Sequence, residues 1–168
     1  MDEKFKQIPN LSKYEVSTHG NVRNIKTGRV LKTCVLPNGY KVVSLQRDDN
    51  PQKTFYIHSL VAKTFLINHM NKPCVDHIDN DKLNNSVLNL RFTTHMENQH
   101  NRKMNKNNTS GYKGVIKVKN RYKANICIGG KLKHLGYFDN INDAVNTRVL
   151  MARELFGQYC NSCETLIF

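Results

Sequence analysis

Cys74-Val75-Asp76-His77-Ile78-Asp79 opens the most telling region of the chain, with Asn89 twelve residues and Asn98 twenty-one residues beyond His77. Apolar Cys74, Val75 and Ile78 suit a short strand. Leu90-Arg91-Phe92-Thr93-Thr94 suits a second strand after a polar loop from Asp79 to Asn89, which makes the pair a long hairpin. Thr94 followed by Glu97 has capping-box spacing, so a helix is predicted to start there and run through Asn98 toward Asn105. Neighbours on a strand point to opposite sides, so Asp76 and His77 diverge unless the strand end twists, while Asn98 projects from the first helical turns. That order leaves room for an ion between strand and helix.

Taken singly, these residues have plain structural readings. An Asp-His pair between strands serves as a buried hydrogen bond, Asn89 as a loop cap, and Asp79 and Asp81 as turn formers. Taken together, Val75-Asp76-His77-Ile78-Asp79, Asn84-Asn85, Asn89-Leu90-Arg91-Phe92 and Glu97-Asn98 resemble the ββα-metal (His-Me finger) motif of HNH endonucleases. The resemblance is to the branch with Asn at the third position, often phage or intron homing enzymes. It implies that His77 is the general base, that Asp76 and Asn98 bind one metal ion per active site, and that Asn89 orients the base. The chemistry asks for such residues. Phosphodiester hydrolysis needs a neutral imidazole to take a proton from water. A hard divalent cation held by one carboxylate and one amide oxygen keeps positions open for phosphate and water, so Mg2+ is the first candidate and Mn2+ the second. Family analogy implies 5′-phosphate and 3′-hydroxyl ends.

Composition points to a polyanion. The 168 residues carry 26 Lys and Arg against 13 Asp and Glu, a formal net charge of +13. An anionic membrane would satisfy the same charge, but the chain shows no long apolar run, no basic helix with a heavy aromatic face and no secretory leader at Met1-Asp2-Glu3-Lys4. A soluble, intracellular protein is expected. The cysteines at 34, 74, 127, 160 and 163 are odd in number and irregular in spacing, which argues against a disulfide framework. Cys160 and Cys163 have the spacing of half a zinc knuckle without the other half. Cys34, Cys74 and Cys127 read as small apolar fillers.

Before this region, about residues 8 to 57, short apolar runs at Tyr14 and Val16, Val22 and Ile25, Val30 and Leu31, and Tyr40 to Leu45 alternate with turns at Gly20-Asn21, Thr27-Gly28 and Asn38-Gly39. A small β-rich module follows. Ile8 to Arg23 resembles the NUMOD4 segment at the N-terminus of many HNH homing nucleases. Lys26, Arg29, Lys32 and Lys41 are either phosphate contacts or a solvated edge. His58 to Leu66 has helical spacing, with Leu60, Val61, Thr64 and Phe65 on one face, and His58 reads as a structural hydrogen-bonding group at the helix start.

From Arg102 to Lys133 there are ten Lys or Arg and no Asp or Glu. Lys103 to Gly111 reads as helix end and linker. Val115 to Val118, Tyr122 to Ile128 and Leu132 to Phe138 read as three strands, with Gly129-Gly130 as a hairpin turn. Asn140 and Asp143 cap a helix with an apolar face of Ala144, Val145, Val149, Ala152, Leu155 and Phe156, ending at Gly157. Gly111-Tyr112-Lys113-Gly114-Val115, Leu135-Gly136-Tyr137-Phe138 and Ala152-Arg153-Glu154-Leu155-Phe156-Gly157 resemble the AP2 DNA-binding domain, which implies a sheet laid in the major groove. Alternation puts Tyr122, Ala124, Ile126 and Ile128 toward the helix and Arg121, Lys123, Asn125 and Cys127 on the opposite face. Ile116, Val118, Tyr122 and Cys127 depart from the residues usual in that family.

The expected architecture is α+β: a β-rich segment over 1–57, the nuclease motif over 58–105, and a three-stranded antiparallel sheet plus helix over 106–168. The expected function is a metal-dependent homing-type endonuclease that nicks or breaks double-stranded DNA as a monomer. The catalytic residues are His77, Asp76, Asn89 and Asn98, and the DNA contacts Arg102, Lys103, Lys113, Lys117, Lys119, Arg121, Lys123, Asn125 and His134. Two rivals are a non-cleaving DNA-binding regulator with an inactive centre, and an RNA-binding or structural protein; the chain lacks an RNP-like aromatic signature.

Overall fold

The computed structural model describes residues 2–47, 51–102, 104, 107–161, 164 and 166–167. The chain is α+β and divides into two compact units, Met1–Thr94 and His95–Phe168.

In the first unit, β1 (Phe5–Ile8), β2 (Leu11–Ser17) and β3 (Val22–Asn24) form one antiparallel sheet in that order, and β4 (Cys34–Val35), β5 (Lys41–Gln46) and β6 (Gln52–Tyr56) another. The reverse turn between β1 and β2 is Pro9-Asn10; Asn10 takes a positive φ of 61°, a conformation asparagine tolerates. Next comes α1 (Ile57–Phe65), then the hairpin of β7 (Cys74–His77) and β8 (Leu90–Thr93). Ile57, Leu60, Val61 and Thr64 recur at helical spacing and are buried, Ala62 with them, while Phe65 is only partly covered.

One core joins these pieces. Ile8, Leu11, Val16, Val22, Val43, Leu45, Ile57, Leu60, Val61 and Leu90 form a single buried cluster. The expected boundary at 57/58 therefore falls inside a core, beside fully buried Ile57, and the compact unit ends instead at Thr94. Segment 58–105 is divided between the two units because its hairpin packs with α1 while its final helix belongs with the C-terminal residues.

That helix, α2 (His95–His100), opens the second unit and is shorter than predicted: Asn101 is already a turn, and Lys103, Asn105 and Lys106 lie outside the described residues. The His100 ring stacks on Phe156 at 3.7 Å, and Asn161 donates through Nδ2 to the Asn101 carbonyl. The sheet runs β11 (Lys131–Phe138), β10 (Arg121–Ile128), β9 (Val115–Val118), with α3 (Ile141–Phe156) packed on it. Asn140 caps α3 by accepting from the Asn142 N–H, and Gly157 ends it with φ 49°. Tyr122, Ala124, Ile126 and Ile128 do pack toward α3, as alternation requires.

Cys34 and Cys127 are corrected from fillers to exposed residues, because β4 is an edge strand and Cys127 sits on the sheet face opposite α3; Cys74 is half-buried. Cys160 is a free thiol whose pKa is raised by burial and by Glu164, and Cys163 is outside the described residues. Among the described residues, no helix is long and apolar enough to cross a membrane.

Candidate active site

The centre of the first unit is the end of β7. Asp76 pairs in register with Arg91 and His77 with Leu90, so the two candidates leave the strand on opposite sides. Both are nonetheless buried, at 6% and 5% exposure, since each side of the hairpin end is covered. Arg91 donates from Nε and Nη2 to Asp76 Oδ2 at 2.9 and 2.7 Å, which offsets the cost of burying that carboxylate.

The His77 ring is held by Asn85, with Nε2 and Oδ1 3.2 Å apart. Asn85 is itself buried, and its amide nitrogen donates to the Leu83 carbonyl at 3.0 Å, so its oxygen faces the imidazole. A neutral His77 then carries its proton on Nε2 and presents Nδ1 as the acceptor. Asn89, expected to orient the base by fixing the loop after it, is bonded to that loop. Its Oδ1 accepts from the Asp79 N–H at 3.1 Å, and its Nδ2 donates to Asp79 Oδ1 and the Asn84 carbonyl, each at 2.8 Å. Its own carbonyl accepts from the Ile78 N–H. Burial alone would raise the Asp79 pKa, but hydrogen bonds from the Asp81 backbone, Asn84 and Asn89, with the His77 charge, hold it below the usual range. Asp79 and Asp81 thus shape the loop: the Asp81 and Leu83 N–H groups donate to Asp79 and Asp81 respectively.

The N-terminal segment reaches this loop directly. Gly20, at φ 87°, lies so close that a Cβ there would sit 3.0 Å from both the Asn85 Cβ and Ile57 Cγ2, and the Val87 N–H donates to the Thr18 carbonyl. Only glycine combines that φ with that approach.

Sequence reasoning missed a cluster of rings. Tyr40, just before β5, Tyr56 at the end of β6, and His58 in α1 gather beside His77; the His58 and His77 ring centroids are 5.2 Å apart in an edge-on arrangement. His58 is not the hydrogen-bonding group expected at the helix start. Among the described residues its buried Nδ1 has no hydrogen-bond partner, and burial, aided by His77, lowers its pKa to about 4. Aromatic and apolar spacing at 40, 56 and 58 carries no signal that strand pairing will bring them to residue 77.

Asn98 lies half-buried on α2, in the second unit. Among the described residues, no group of three or more His, Cys, Asp and Glu is placed to hold a metal. The donors that the sequence singled out, a carboxylate and an amide, are hard oxygen ligands and fit a cation that keeps much of its own water.

On the second unit, the face opposite α3 carries Arg121, Lys123, Asn125 and Cys127, paired in register with Val118, Ile116 and Tyr137, His134 and Leu132 respectively. Asn125 is mostly buried, and its Oδ1 lies 3.3 Å from His134 Nδ1. Arg121 is exposed and paired with Asp139, and Lys119 and Arg102 are exposed. Two expectations change. Lys113 is half-buried, bonded to the His100 carbonyl and ion-paired with Glu164 at 2.9 Å, so its charge serves the fold. Lys117 pairs in register with Tyr122 and shares the α3 side of the sheet. Lys103 lies outside the described residues.

The end of β7 thus holds a buried Asp-His pair clasped by an asparagine loop, and the chain is similar to known nucleases. Residues 3–46 match the family model described as the NUMOD4 motif. The uncharacterized HNH endonuclease L245 of Acanthamoeba polyphaga mimivirus is 34% identical over 145 residues, covering 86% of this chain and 40% of that protein. DNA endonuclease I-HmuI of Bacillus phage SP01 is 37% identical over 111 residues, covering 64% of this chain and 62% of its own. A solved structure described as "DNA binding and cleavage by the HNH homing endonuclease I-HmuI" superposes with a TM-score of 0.54 at 36% identity, covering 58% of this chain and 56% of that one. Protein 3.8 of Escherichia phage T7 is 36% identical over 87 residues, 51% of this chain and 71% of that protein. The chain is thus similar to HNH endonucleases, the homing endonuclease I-HmuI among them. It spans less than two thirds of the length of the mimivirus and SP01 relatives.

Proposed function

We propose that the chain is a metal-dependent HNH endonuclease of the homing type that hydrolyses phosphodiester bonds in double-stranded DNA, as a nick or a double-strand break. The observation that carries this is the buried Asp76-His77 pair, its imidazole turned by Asn85 so that Nδ1 is the acceptor. In this reading His77 takes the proton of the attacking water at Nδ1. Asn89 keeps the backbone after His77 in one conformation, so the ring meets its water without reorganising. Asp76 and Asn98 are the residues that would hold a divalent cation, Mg2+ or else Mn2+, one per centre. When bound, such an ion supplies charge stabilisation at the phosphate oxygens. Arg91, which donates twice to Asp76 Oδ2, holds that carboxylate in one orientation.

DNA contacts are assigned to Arg102, Lys119, Arg121, Lys123, Asn125 and His134. The net charge of +13 supplies sequence-independent attraction through counterion release. With one centre per chain, the protein acts as a monomer.

The test is cleavage of supercoiled plasmid with and without Mg2+. Metal-dependent conversion to open-circle or linear DNA is expected, with His77→Ala slower by roughly 10²–10⁴-fold. A plasmid that is bound yet left intact with Mg2+ and Mn2+, across a panel that includes candidate target sites, would make the chain a non-cleaving DNA-binding regulator.

A further inference from the structure

A groove of about 500 Å3 runs along the first unit beside the candidate centre, lined by His58, Ser59 and Lys63 of α1, by Asn68 and Lys72 of the following loop, and by Val75 of β7 among others. Three features set it apart from an ordinary surface crease. It opens next to the chemistry: Val75 directly precedes the Asp76-His77 pair, and His58 lies edge-on to His77. Its wall holds two lysines and no Asp or Glu among the described residues. The loop that carries Lys72 is fixed, since the Asn68 side chain both donates to the Lys72 carbonyl at 3.0 Å and accepts from the Lys72 N–H at 2.9 Å.

A rigid, cationic, carboxylate-free groove suits a singly charged oxyanion more than a base or an apolar group. Lys63, exposed on the last turn of α1, and Lys72 line it together with the hydroxyl-bearing Ser59. We propose that this groove seats a backbone phosphate of the substrate strand, neighbouring the one that is cut, with Lys63 and Lys72 as its cations. The proposal deepens the endonuclease reading and rests on it. It assigns binding, not catalysis, to the two lysines: the seat fixes how the strand crosses His77. His58, neutral near pH 7 because burial lowers its pKa, adds shape to the seat without charge.

Binding of a DNA duplex by the full chain is measured against salt concentration in chelator, so that nothing is cut, for the parent, Lys63→Gln, Lys72→Gln, the double variant and Lys63→Arg. Losing one phosphate contact lowers the slope of log K against log salt by about 0.9. The double variant is expected to show that loss, and Lys63→Arg to keep the parent slope. At the cleavage site mapped with the parent, phosphates are then replaced one at a time by neutral methylphosphonate. One position beside the cut should weaken the parent and leave the double variant unaffected. A double variant that melts like the parent and keeps its salt slope overturns the seat, as does a methylphosphonate effect that persists in that variant. A parent that binds but cuts nothing brings down the endonuclease reading, while the salt slopes still decide the groove. A parent that binds no DNA brings down both.

Discussion

In the proposed reaction Asn85 orients His77, because its oxygen, turned toward Nε2, leaves Nδ1 as the acceptor of the neutral ring. Asn85→Ala is expected to lower the cleavage rate by roughly 10- to 100-fold through loss of orientation, with little change in DNA affinity. His58 gives a second test. Its folded pKa, about 4, lies below the ordinary 6.5, so the unfolded chain takes up the proton first as pH falls. The stability it leaves intact above pH 6.5 is therefore lost progressively between about 6.5 and 4, by an amount of about 3 kcal/mol. Thermal melts of His58→Phe against the parent should show a flatter dependence in that window; parallel curves would refute it. The hairpin strands that carry Asp76, His77 and Arg91 were legible in the sequence because their apolar patterns are short and local. The ring contacts of Tyr40 and His58 were not, since strand pairing and helix packing, not spacing, bring them to His77.

The elements themselves follow from local patterns wherever a pattern is strong. Alternation placed β10 correctly, and the Asn140 cap and Gly157 marked both ends of α3. Charge was the poorer guide. A lysine reads alike whether it faces solvent or, as Lys113 does, a buried carboxylate from the chain's other end. The start of β9 shows how tightly that region is built. Gly114 has φ 73°, and a Cβ there would lie 2.5 Å from the Asn125 carbonyl oxygen and 2.7 Å from Arg148 Nε. Gly114→Ala should cost about 1–3 kcal/mol or more by chemical denaturation, because backbone cannot retreat from a methyl group. An unchanged midpoint would mean that β9 and β10 can separate freely.

At the scale of the molecule, the two units have separate cores, one centred on Leu45, Ile57 and Val61 and the other on Val115, Ala124 and Val145. Leu45→Ala, at a fully buried position, should cost the first unit about 2–5 kcal/mol. Amide exchange should then speed up in β2 and β5 while β10 keeps its protection; faster exchange in β10 would show that the units unfold as one. The sequence suggested three modules because three stretches of it each carry their own pattern of strands, turns and helix. It could not show that the first two share one interior, since that depends on Leu90 meeting residues more than forty positions away.

The approach of Gly20 to Asn85 and Ile57 bears on inheritance as well as on folding. A recombination junction placed between the N-terminal segment and the hairpin would have to match a methyl-free corner on one side to an asparagine on the other, so those two pieces should be inherited together. A junction near Thr94 falls at the boundary between the two compact units, so it separates neither from its own core.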